Sequence, residues 1–335
     1  MNLYKQVVRP PLFLCDPEAV HHVAIALLAG LGPFLPRLAP PPDPRLERTV
    51  FGVRFPHPVG LAAGFDKNAV ALPAWQALGF GFIEAGTITA RGQPGNPKPR
   101  IFRYPEQEAL INRLGFNNDG ADAVAARLQQ LRQSGKWPQI PVGINLGKSK
   151  ITPLVESTRD YLLSFQRLYQ FGDYFVLNVS SPNTPGLRTL QDRPALEELI
   201  DAIQRHNPLK KPILVKIAPD LEWDAIEQIL GLVTEQECAG LIATNTTLDH
   251  SAIHNSRRQK GGLSGRPLRQ RSTEIVRFLT ERSTIPIIAA GGIHDADSAL
   301  EKLDAGAALI QIYTGFIYEG PGLIGEICRA ILERG

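Results

Sequence analysis

The sequence predicts one parallel (β/α)8 TIM barrel with a small N-terminal helical segment ahead of it. From residue 59 onward, short apolar or β-branched runs alternate with amphipathic helical patterns, as in parallel strands that helices bury on both faces. About eight such units close a barrel, and 335 residues is an ordinary length for one barrel with additions. An open doubly wound sheet is the alternative, but polar residues follow nearly every predicted strand rather than a single switch point.

The predicted strands are near-continuous apolar runs bounded by polar residues or glycine. Eight of them follow one another along the chain, at residues 59–63, 82–87, 142–146, 174–179, 213–217, 241–244, 287–290 and 309–313. Amphipathic patterns between them predict helices at residues 119–133, 159–171, 195–206 and 224–234. Within an insertion at 97–113, residues 100–103 and 109–111 flank a polar turn and predict a β-hairpin.

Residues 1–45 are predicted to be an N-terminal apolar helical segment, and residues 46–335 the barrel domain. Asp16 followed by Pro17 is typical of a helix start, because Asp caps free N–H groups and proline is favoured in the first turn. The stretch 19–38 is apolar on nearly every face, and the proline-rich residues 39–44 join it to the barrel. One face can pack on the barrel, and the others need a lipid surface or a hydrophobic ligand. A helical lid sealed against its own barrel is the alternative.

Composition narrows the class of protein. Lys and Arg together number 36 against 33 Asp and Glu, a balance that argues against a nucleic-acid partner. The three cysteines, Cys15, Cys238 and Cys328, are too far apart for a zinc site, an iron–sulfur run or a redox dithiol, so we expect no bound metal. We also expect no cleavable signal peptide and no membrane crossing, because no apolar run reaches the roughly 20 residues of a spanning helix.

Polar side chains follow six neighbouring predicted strands. The strand ends read AAGFDKN at 62–68, EAGT at 84–87, GIN at 143–145, NVSSPNTPG at 178–186, KIAP at 216–219 and TNTT at 244–247. A turn or a helix cap explains any one such residue. Because the carboxyl ends of barrel strands meet at one mouth, where the active sites of this architecture lie, six polar ends together predict an active site there.

Glycine-rich segments after the last strands predict a phosphate site. They are GGLSGRP at 261–267, Gly291 and Gly292 after the seventh strand, and Gly315 after the eighth. Glycine lets backbone N–H groups approach a phosphate, and the loops after the last two strands are the usual phosphate site of a barrel. The segment 143–149 resembles a P-loop, but its glycines are too close together, and no G-x-G-x-x-G opens a helix after the first strand. We therefore predict neither a P-loop nor a Rossmann-type nucleotide site.

Nine motifs spread over almost the whole chain carry a family resemblance: AAGFDKN, PGNPKPRIFR, INRLGFNN, GINLGK, NVSSPNTPGLR, VKIAPD, ATNTT, GGLSGRPL and AAGGI. With them the sequence resembles the dihydroorotate dehydrogenase family. The resemblance implies oxidation of dihydroorotate to orotate in pyrimidine biosynthesis, with flavin mononucleotide (FMN) as the first electron acceptor. The apolar N-terminal helix and a serine in place of a cysteine base resemble the quinone-dependent class (class 2). They imply a membrane quinone as partner and peripheral association with a membrane. Since no targeting peptide precedes the apolar helix, we expect this location to be the cytoplasmic face of the cell membrane.

The resemblance also implies roles for individual residues. It places Ser181 as the base that takes a proton from the substrate, although a serine is a weak base without a relay. Amide side chains suit a ring that alternates N–H and C=O, and the implied substrate binders are Lys67, Asn112, Arg113, Leu114, Gly115, Phe116, Asn178, Asn183, Asn245 and Thr246. A cation such as Lys216 stabilises an anionic reduced flavin, and the implied FMN binders are Ala63, Gly64, Phe65, Asp66, Lys67, Thr87, Asn145, Asn178, Lys216, Thr244, Gly265, Gly292, Tyr313 and Thr314. The residues implied for a quinone passage are His21, Arg103 and Tyr313.

Other flavin enzymes and other classes of protein stay open as alternatives. A fumarate- or NAD-linked dihydroorotate dehydrogenase should have a cysteine base and lack the apolar helix. A flavin enzyme acting on free or tRNA-bound pyrimidines should have a basic surface or additional metal-binding domains. A non-flavin barrel, such as an aldolase or isomerase, or an inactive membrane-bound scaffold would carry no flavin. The absorption spectrum of the purified protein separates the flavin enzymes from the rest.

Overall fold

The computed structural model describes residues 3–32 and 43–334 of the chain, and a closed barrel of eight parallel strands forms its centre. In chain order the strands are β1 (Arg48–Val50), β2 (Val53–Phe55), β3 (Val59–Leu61), β4 (Phe82–Ile88), β5 (Ile101–Tyr104), β6 (Ala109–Asn112), β7 (Val142–Leu146), β8 (Tyr174–Asn178), β9 (Ile213–Ile217), β10 (Gly240–Ala243), β11 (Gly262–Gly265), β12 (Ile287–Ala290) and β13 (Leu309–Ile312). The helices are α1 (Arg9–Leu14), α2 (Pro17–Leu31), α3 (Leu72–Ala77), α4 (Ala121–Gln133), α5 (Ser157–Leu168), α6 (Arg193–Arg205), α7 (Trp223–Glu235), α8 (Arg269–Arg282), α9 (Ala296–Asp304), α10 (Thr314–Glu319) and α11 (Gly322–Arg334).

The order of strands around the barrel is β3-β4-β7-β8-β9-β10-β12-β13, and β13 pairs with β3 to close it. Each of the eight predicted strands is present, with ends within two residues of the prediction, and the four predicted helices are α4 to α7. The predicted (β/α)8 barrel is thus confirmed. Because every strand pair in the barrel is parallel, the carboxyl ends of all eight strands meet at one mouth.

Apolar side chains fill the amino-terminal half of the barrel interior. Phe82 and Tyr174 lie in one buried cluster with Leu214, Ile242 and Ile288, so five different strands contribute to it. Side chains of the intervening residues on these strands pack outward against the helices in a second, larger cluster. This alternation is the expected period of two for a strand whose two faces are both buried.

Two glycines make room for the aromatic rings of the interior cluster. A Cβ atom at Gly60 would lie 2.3 Å from the ring of Phe82, and one at Gly143 would lie 2.1 Å from the ring of Tyr174. The β1–β2 hairpin adds Phe55, whose ring centroid lies 5.2 Å from that of Phe82 and 6.5 Å from that of Tyr174. Apolar packing therefore closes this end of the barrel and leaves the opposite end for a ligand.

A three-stranded antiparallel sheet, β5-β6-β11, reaches the mouth of the barrel. Its β5–β6 hairpin confirms the hairpin predicted within residues 97–113. The sequence did not predict the third strand, β11. It lies in the glycine-rich segment at 261–267, which was interpreted as a loop, and it pairs with β6. Glycine suits this strand because a Cβ atom at Gly262 would lie only 1.9 Å from Oγ1 of Thr246.

Helices α1 and α2 precede the barrel, with a single π-helical turn at Tyr4–Val8 before them. The Asp16 carboxylate accepts a hydrogen bond of 2.8 Å from the Ala19 N–H, which confirms the predicted helix start. Helix α2 ends at Leu31. Residues 33–42, which hold the rest of the predicted apolar stretch and most of the proline-rich linker, lie outside the described residues.

The apolar surface of α2 is divided between the barrel and the surroundings. Ile25 and Leu28 pack against the barrel core, whereas Val23, Leu27 and Leu31 are each more than half exposed. Within the two described ranges, no helix combines the length and the apolar character that crossing a bilayer requires. Helix α2 therefore presents an apolar face that the barrel does not cover.

A buried ion pair fastens α2 to the β-hairpin. The Glu18 carboxylate accepts hydrogen bonds of 2.7 to 3.1 Å from Nε and Nη2 of Arg100, and both side chains are less than a tenth exposed. Burial opposes the charged form of Glu18, but the hydrogen bonds and the charge of Arg100 prevail and lower its pKa to about 2. Arg100 also donates to the carbonyls of Pro94 and Asn96, so it ties helix, hairpin and loop together.

We expect Glu18→Gln to loosen α2, because removing one partner of a buried ion pair costs about 3–5 kcal/mol. Hydrogen exchange of the α2 amides should accelerate by at least about a hundredfold, while exchange in the barrel strands should be unchanged. Lys98→Gln is the matched control, since the exposed Lys98 ammonium lies 3.5 Å from the same carboxylate and exposed pairs contribute little. Equal α2 exchange in the two variants would contradict the anchoring role of Arg100.

Candidate active site

A cavity of about 980 Å³, including its open mouth, lies at the carboxyl ends of the barrel strands. Strand ends, the β5-β6-β11 sheet and the loops after β12 and β13 form its walls. Most of the predicted site residues line it: Ala63, Gly64, Lys67, Thr87, Asn112, Leu114, Gly115, Phe116, Asn178, Ser181, Asn183, Lys216, Thr244, Asn245, Thr246, Gly265, Gly292, Tyr313 and Thr314.

Hydrogen bonds link polar residues of neighbouring strands across the floor of this cavity. Thr87 Oγ1 donates to Asn145 Oδ1 at 2.5 Å, and Asn178 Nδ2 donates to the same two oxygens at 2.9 and 3.2 Å. Asn245 Nδ2 extends the network by donating to Asn178 Oδ1 at 3.2 Å and to Ser180 Oγ at 3.0 Å. The network fixes the orientation of each amide group, because every turned amide would break at least one of these bonds.

One fully buried carboxylate lies beneath the floor. Glu84 Oε1 accepts a hydrogen bond of 2.7 Å from Asn145 Nδ2 and lies 3.5 Å from Lys216 Nζ, and Glu84 Oε2 accepts from Gln311 Nε2. Lys216 and Gln311 line the cavity, whereas Glu84 does not. The Glu84 carboxylate can therefore influence a ligand in the cavity only through Lys216 and Gln311.

Ser181 follows β8 and lines the wall of the cavity, with only 6% of its surface exposed. Its Oγ accepts a hydrogen bond of 3.3 Å from the Asn183 N–H. In the described part of the chain, its hydroxyl has no hydrogen bond to a histidine or a carboxylate. The site therefore offers a buried hydroxyl without the imidazole that usually activates a serine.

Asparagine side chains are joined in pairs near Ser181. Asn183 Nδ2 donates to Asn112 Oδ1 at 3.2 Å, which connects the segment after β8 to the end of β6. Asn245, already bonded to Asn178, also accepts a hydrogen bond of 2.8 Å from the Thr246 N–H. Amide donors and acceptors from four separate elements thus line one cavity together with a buried hydroxyl.

Glycines with positive φ form another part of the wall. Gly265 and Gly292 have φ values of +103° and +75°, and at each a Cβ atom would lie within 2.3 Å of a neighbouring backbone atom. Any other residue would therefore displace the backbone here. Beside them, the hydroxyls of Ser264 and Thr314 hydrogen-bond at 2.8 Å. This glycine wall presents backbone N–H groups and hydroxyls, the kind of donors that suit a phosphate.

The geometry agrees with a comparison against known families. Residues 45–334 match the family model described as Dihydroorotate dehydrogenase. The chain belongs to this family.

Relatives named dihydroorotate dehydrogenase (quinone) extend over the whole chain. The protein of Gloeobacter violaceus is 51% identical over 341 residues, which cover 100% of this chain and 95% of the relative. The protein of a Nostoc species is 49% identical over 360 residues, which again cover 100% of this chain and 95% of the relative. Among solved structures, a DHODH from Eimeria tenella in complex with ferulenol is 39% identical with a TM-score of 0.89, covering 95% of this chain and 91% of that one.

Dihydroorotate dehydrogenases are flavoenzymes, and the residues of the cavity fit a flavin. The amide of Asn178 and the ammonium of Lys216 lie on the floor, where they can pair with the N–H and C=O edge of a flavin ring. The glycine wall allows the close backbone approach that a bulkier residue at Gly265 or Gly292 would prevent.

A second cavity of about 450 Å³ lies between α2 and the barrel. Lys67 lines both cavities, and burial together with the positive charge of Arg100 lowers its pKa to about 8. His21 lines the second cavity, where burial and the charge of Lys67 lower its pKa to about 3. The lysine therefore titrates at about pH 8, and the imidazole is uncharged there.

Aromatic ring contacts connect the two cavities. The Phe65 ring centroid lies 5.4 Å from that of His21 and 5.0 Å from that of Tyr313, which lines the first cavity. Arg103 lies elsewhere: its guanidinium is 4.8 Å from the Phe13 ring and donates to carbonyls at the end of α1. Of the three residues predicted to line a quinone passage, the structure places two against Phe65 and the third beside α1.

Of the predicted FMN and substrate binders, Phe65, Asp66, Arg113 and Asn145 do not line the main cavity, and Phe65 lines the second one instead. The Asp66 carboxylate accepts hydrogen bonds from two backbone N–H groups of its own loop and from the indole N–H of Trp75. The Arg113 guanidinium donates to the Pro99 carbonyl, and Asn145 supports the floor from below. Asp66 and Arg113 can therefore offer a ligand only their backbone atoms.

Some residues of the site were not predicted. Glu84 and Gln311 each interrupt an apolar strand, and that interruption is a signal that the sequence offered. A buried strand tolerates a charged or amide side chain only when that side chain has hydrogen-bond or ion-pair partners. Both residues therefore indicate a polar cluster inside the barrel. Four other wall residues lie in the strand-end and glycine-rich segments predicted above: Ala62, Ser264, Gly291 and Gly315. The remaining wall residues, Leu268, Ala290, Ile293 and His294, carry no such signal.

Arg188 joins three loops around the cavity. Its Nε donates to the Ser180 carbonyl at 3.1 Å, its Nη1 to the Asp220 carboxylate at 2.8 Å and its Nη2 to the Thr246 carbonyl at 3.2 Å. The Asp220 carboxylate in turn accepts a hydrogen bond from a backbone N–H in the loop after β10. The segment after Ser181 is thus braced against the loops that follow β9 and β10.

Arg188→Leu should release the segment at 183–193, because it removes three hydrogen bonds that each contribute about 0.5–1.5 kcal/mol, or more where a charge is involved. Cleavage of this segment by proteinase K should be about tenfold faster than in the parent protein. Arg193→Leu serves as the control, since its guanidinium pairs with Glu235 at the exposed surface. If both variants are cleaved at the parent rate, Arg188 does not brace the loop.

Proposed function

We propose that this chain is a quinone-dependent dihydroorotate dehydrogenase of pyrimidine biosynthesis. It oxidises dihydroorotate to orotate with FMN and passes the electrons to a membrane quinone. The observation that carries the proposal is a single cavity in which a buried serine, paired asparagine amides, a lysine floor and a glycine wall come together. The quinone-dependent relatives support it, since they match the whole chain at 51% and 49% identity.

When bound in this cavity, FMN would supply the acceptor for a hydride from the substrate ring. The glycine wall and Thr314 would hold its phosphate, while Asn178 and Lys216 would hold the polar edge of its ring. Lys216 keeps a positive charge where a reduced flavin gains a negative one.

Ser181 takes the proton from the ring carbon next to the substrate carbonyl. A serine hydroxyl is a weak base, so it must pass its own proton onward as it accepts the new one. None of Cys15, Cys238 and Cys328 lines the cavity, which argues against the cysteine base of the fumarate- and NAD-linked enzymes.

The asparagines and Lys67 would orient the substrate. Each amide offers a donor and an acceptor, which matches a ring whose edge alternates N–H and C=O. The substrate also carries a carboxylate, and the enclosed Lys67 ammonium is the complementary charge in the same cavity.

A quinone would reach the flavin through the second cavity. The neutral His21 imidazole and the Tyr313 hydroxyl can hydrogen-bond a quinone carbonyl on either side of Phe65. The uncovered apolar face of α2 would rest on the lipid from which the quinone comes, on the cytoplasmic side of the cell membrane.

Ser181→Ala is the direct test of the chemical role. Turnover of dihydroorotate should fall about 10²–10⁴-fold, the usual contribution of a general base. Bound FMN, measured by its absorbance, and the affinity for orotate should change little, because other residues make those contacts. Cys238→Ser is the control and should retain full turnover, since Cys238 lies outside the cavity. Unchanged turnover in the alanine variant would remove Ser181 from the mechanism.

Orotate affinity should depend on the charge of Lys67. The lysine is protonated below its pKa of about 8 and loses its charge as the pH rises through that value. A carboxylate ligand prefers the charged form, so binding should be strongest below about pH 8 and weaken by up to about tenfold per pH unit above it. Titrations of the bound flavin with orotate at about pH 7 and pH 9 measure this effect. In Lys67→Met, binding should be weak and independent of pH over the same range, and a flat profile in the parent protein would contradict the assignment.

Membrane binding should depend on the exposed face of α2. Leu27→Glu places a charge on that face, so binding to lipid vesicles and reduction of a long-chain quinone should both fall at least about tenfold. Reduction of a water-soluble dye should stay at the parent rate. Leu209→Glu is the matched control, because Leu209 is 73% exposed but lies in the loop after α6. Loss of quinone reduction in both variants, or in neither, would argue against α2 as the membrane contact.

A further inference from the structure

Glu84 and Lys216 form a buried charge pair directly beneath the active-site cavity. The side chain of Glu84 is 0% exposed and that of Lys216 is 7% exposed, and Glu84 Oε1 lies 3.5 Å from Lys216 Nζ. Only Lys216 lines the cavity. The cation therefore faces the ligand, and the carboxylate faces the cation from behind.

The surroundings of Glu84 indicate that its carboxyl group is ionised. Asn145 Nδ2 and Gln311 Nε2 donate to its two oxygens, and Lys216 is the third donor group beside them. The orientation of the Asn145 amide is fixed independently, because its Oδ1 accepts from Thr87. Among the described residues, all hydrogen-bond contacts of this carboxyl are with donors, which suits a carboxylate and not a protonated acid.

The carboxylate reduces the field that Lys216 exerts on the cavity. Charges interact strongly at short range in a protein interior, so a carboxylate adjacent to the ammonium offsets much of the attraction that the ammonium has for an anionic ligand. A flavin gains negative charge when it is reduced, and the balance of this pair therefore changes how easily it is reduced. A flavin that passes its electrons to a quinone must not have too high a reduction potential.

We propose that Glu84 is a positioning residue that holds the Lys216 ammonium beneath the flavin and partly neutralises it, which keeps the reduction potential of the flavin low enough for electron transfer to a quinone. This inference rests on the proposed function, because it requires a flavin in the cavity. Glu84 does not line the cavity, and it acts through Lys216.

Glu84→Gln tests the proposal because it removes the charge and keeps the size of the side chain. The new amide can be accommodated, since Gln311 Oε1 has no hydrogen-bond partner among the described residues and a turned Gln311 amide would accept from it. Sulfite, which adds reversibly to oxidised flavins and forms an anionic adduct, is the probe. We expect its dissociation constant to fall about tenfold and the two-electron potential of the bound flavin to rise by the corresponding value of about 30 mV.

Two further variants separate electrostatics from structural damage. Asp160→Asn removes another buried carboxylate, which accepts hydrogen bonds of 2.7 Å from the Ser149 N–H and the Thr152 hydroxyl away from the cavity. It should lower the melting temperature without changing sulfite affinity. In a Lys216→Met background the cation through which Glu84 acts is absent, so adding Glu84→Gln should change sulfite affinity less than about twofold.

Unchanged or weaker sulfite binding in flavin-loaded Glu84→Gln would overturn the proposal and leave the proposed function standing. A parent protein that takes up no flavin would overturn both. If Glu84→Gln does not retain flavin, Glu84→Asp tests the proposal instead. The aspartate side chain is one methylene shorter, so its carboxylate lies farther from Lys216 and neutralises the ammonium less. That variant should bind sulfite about threefold more tightly, and equal or weaker binding would contradict the role of Glu84.

Discussion

Closing eight parallel strands into a barrel forces alternate side chains of every strand into one shared interior, and the composition of that interior decides what the barrel can hold. Apolar side chains fill the amino-terminal half, where Gly60 and Gly143 leave room for aromatic rings. Farther along the strands, Glu84, Asn145 and Lys216 form a polar layer. The change from apolar to polar packing takes only two residues on β4, from Phe82 to Glu84, and it fixes the floor on which the rest of the cavity depends.

Lys67 lies between the barrel and helix α2, and charges on both sides act on its ammonium group. The Glu18–Arg100 pair holds α2 against the hairpin, and the charge of Arg100 contributes to the lowered pKa of Lys67. A helix with an uncovered apolar face is thus coupled electrostatically to a residue proposed to bind substrate. The same helix brings His21 to the Phe65 ring, which also contacts Tyr313 of the main cavity. Substrate and quinone would therefore approach the flavin from different sides, each through a cavity that Lys67 lines.

Features that depend on one local signal could be predicted from the sequence, and features that depend on distant partners could not. Buried parallel strands are apolar on both faces, so all eight barrel strands were predicted, and the strand-end motifs and glycine-rich segments together predicted most of the cavity lining. Strand β11 was missed because its glycines indicate a loop until β6 pairs with them. Arg188 could not be assigned a role because its three partners lie on separate loops.

The proposed function requires that a flavin in the main cavity takes electrons from dihydroorotate and passes them to a quinone that arrives through the second cavity. Anaerobic mixing of the purified protein with dihydroorotate, followed by a long-chain quinone in detergent, tests it most directly. We expect the visible absorbance of the flavin to bleach with formation of one orotate per flavin, and the quinone to restore it. NADH should not reduce the oxidised flavin, and fumarate should not reoxidise the reduced flavin. A flavin that stays oxidised with dihydroorotate, or a reduced flavin that fumarate but not quinone reoxidises, would contradict the account.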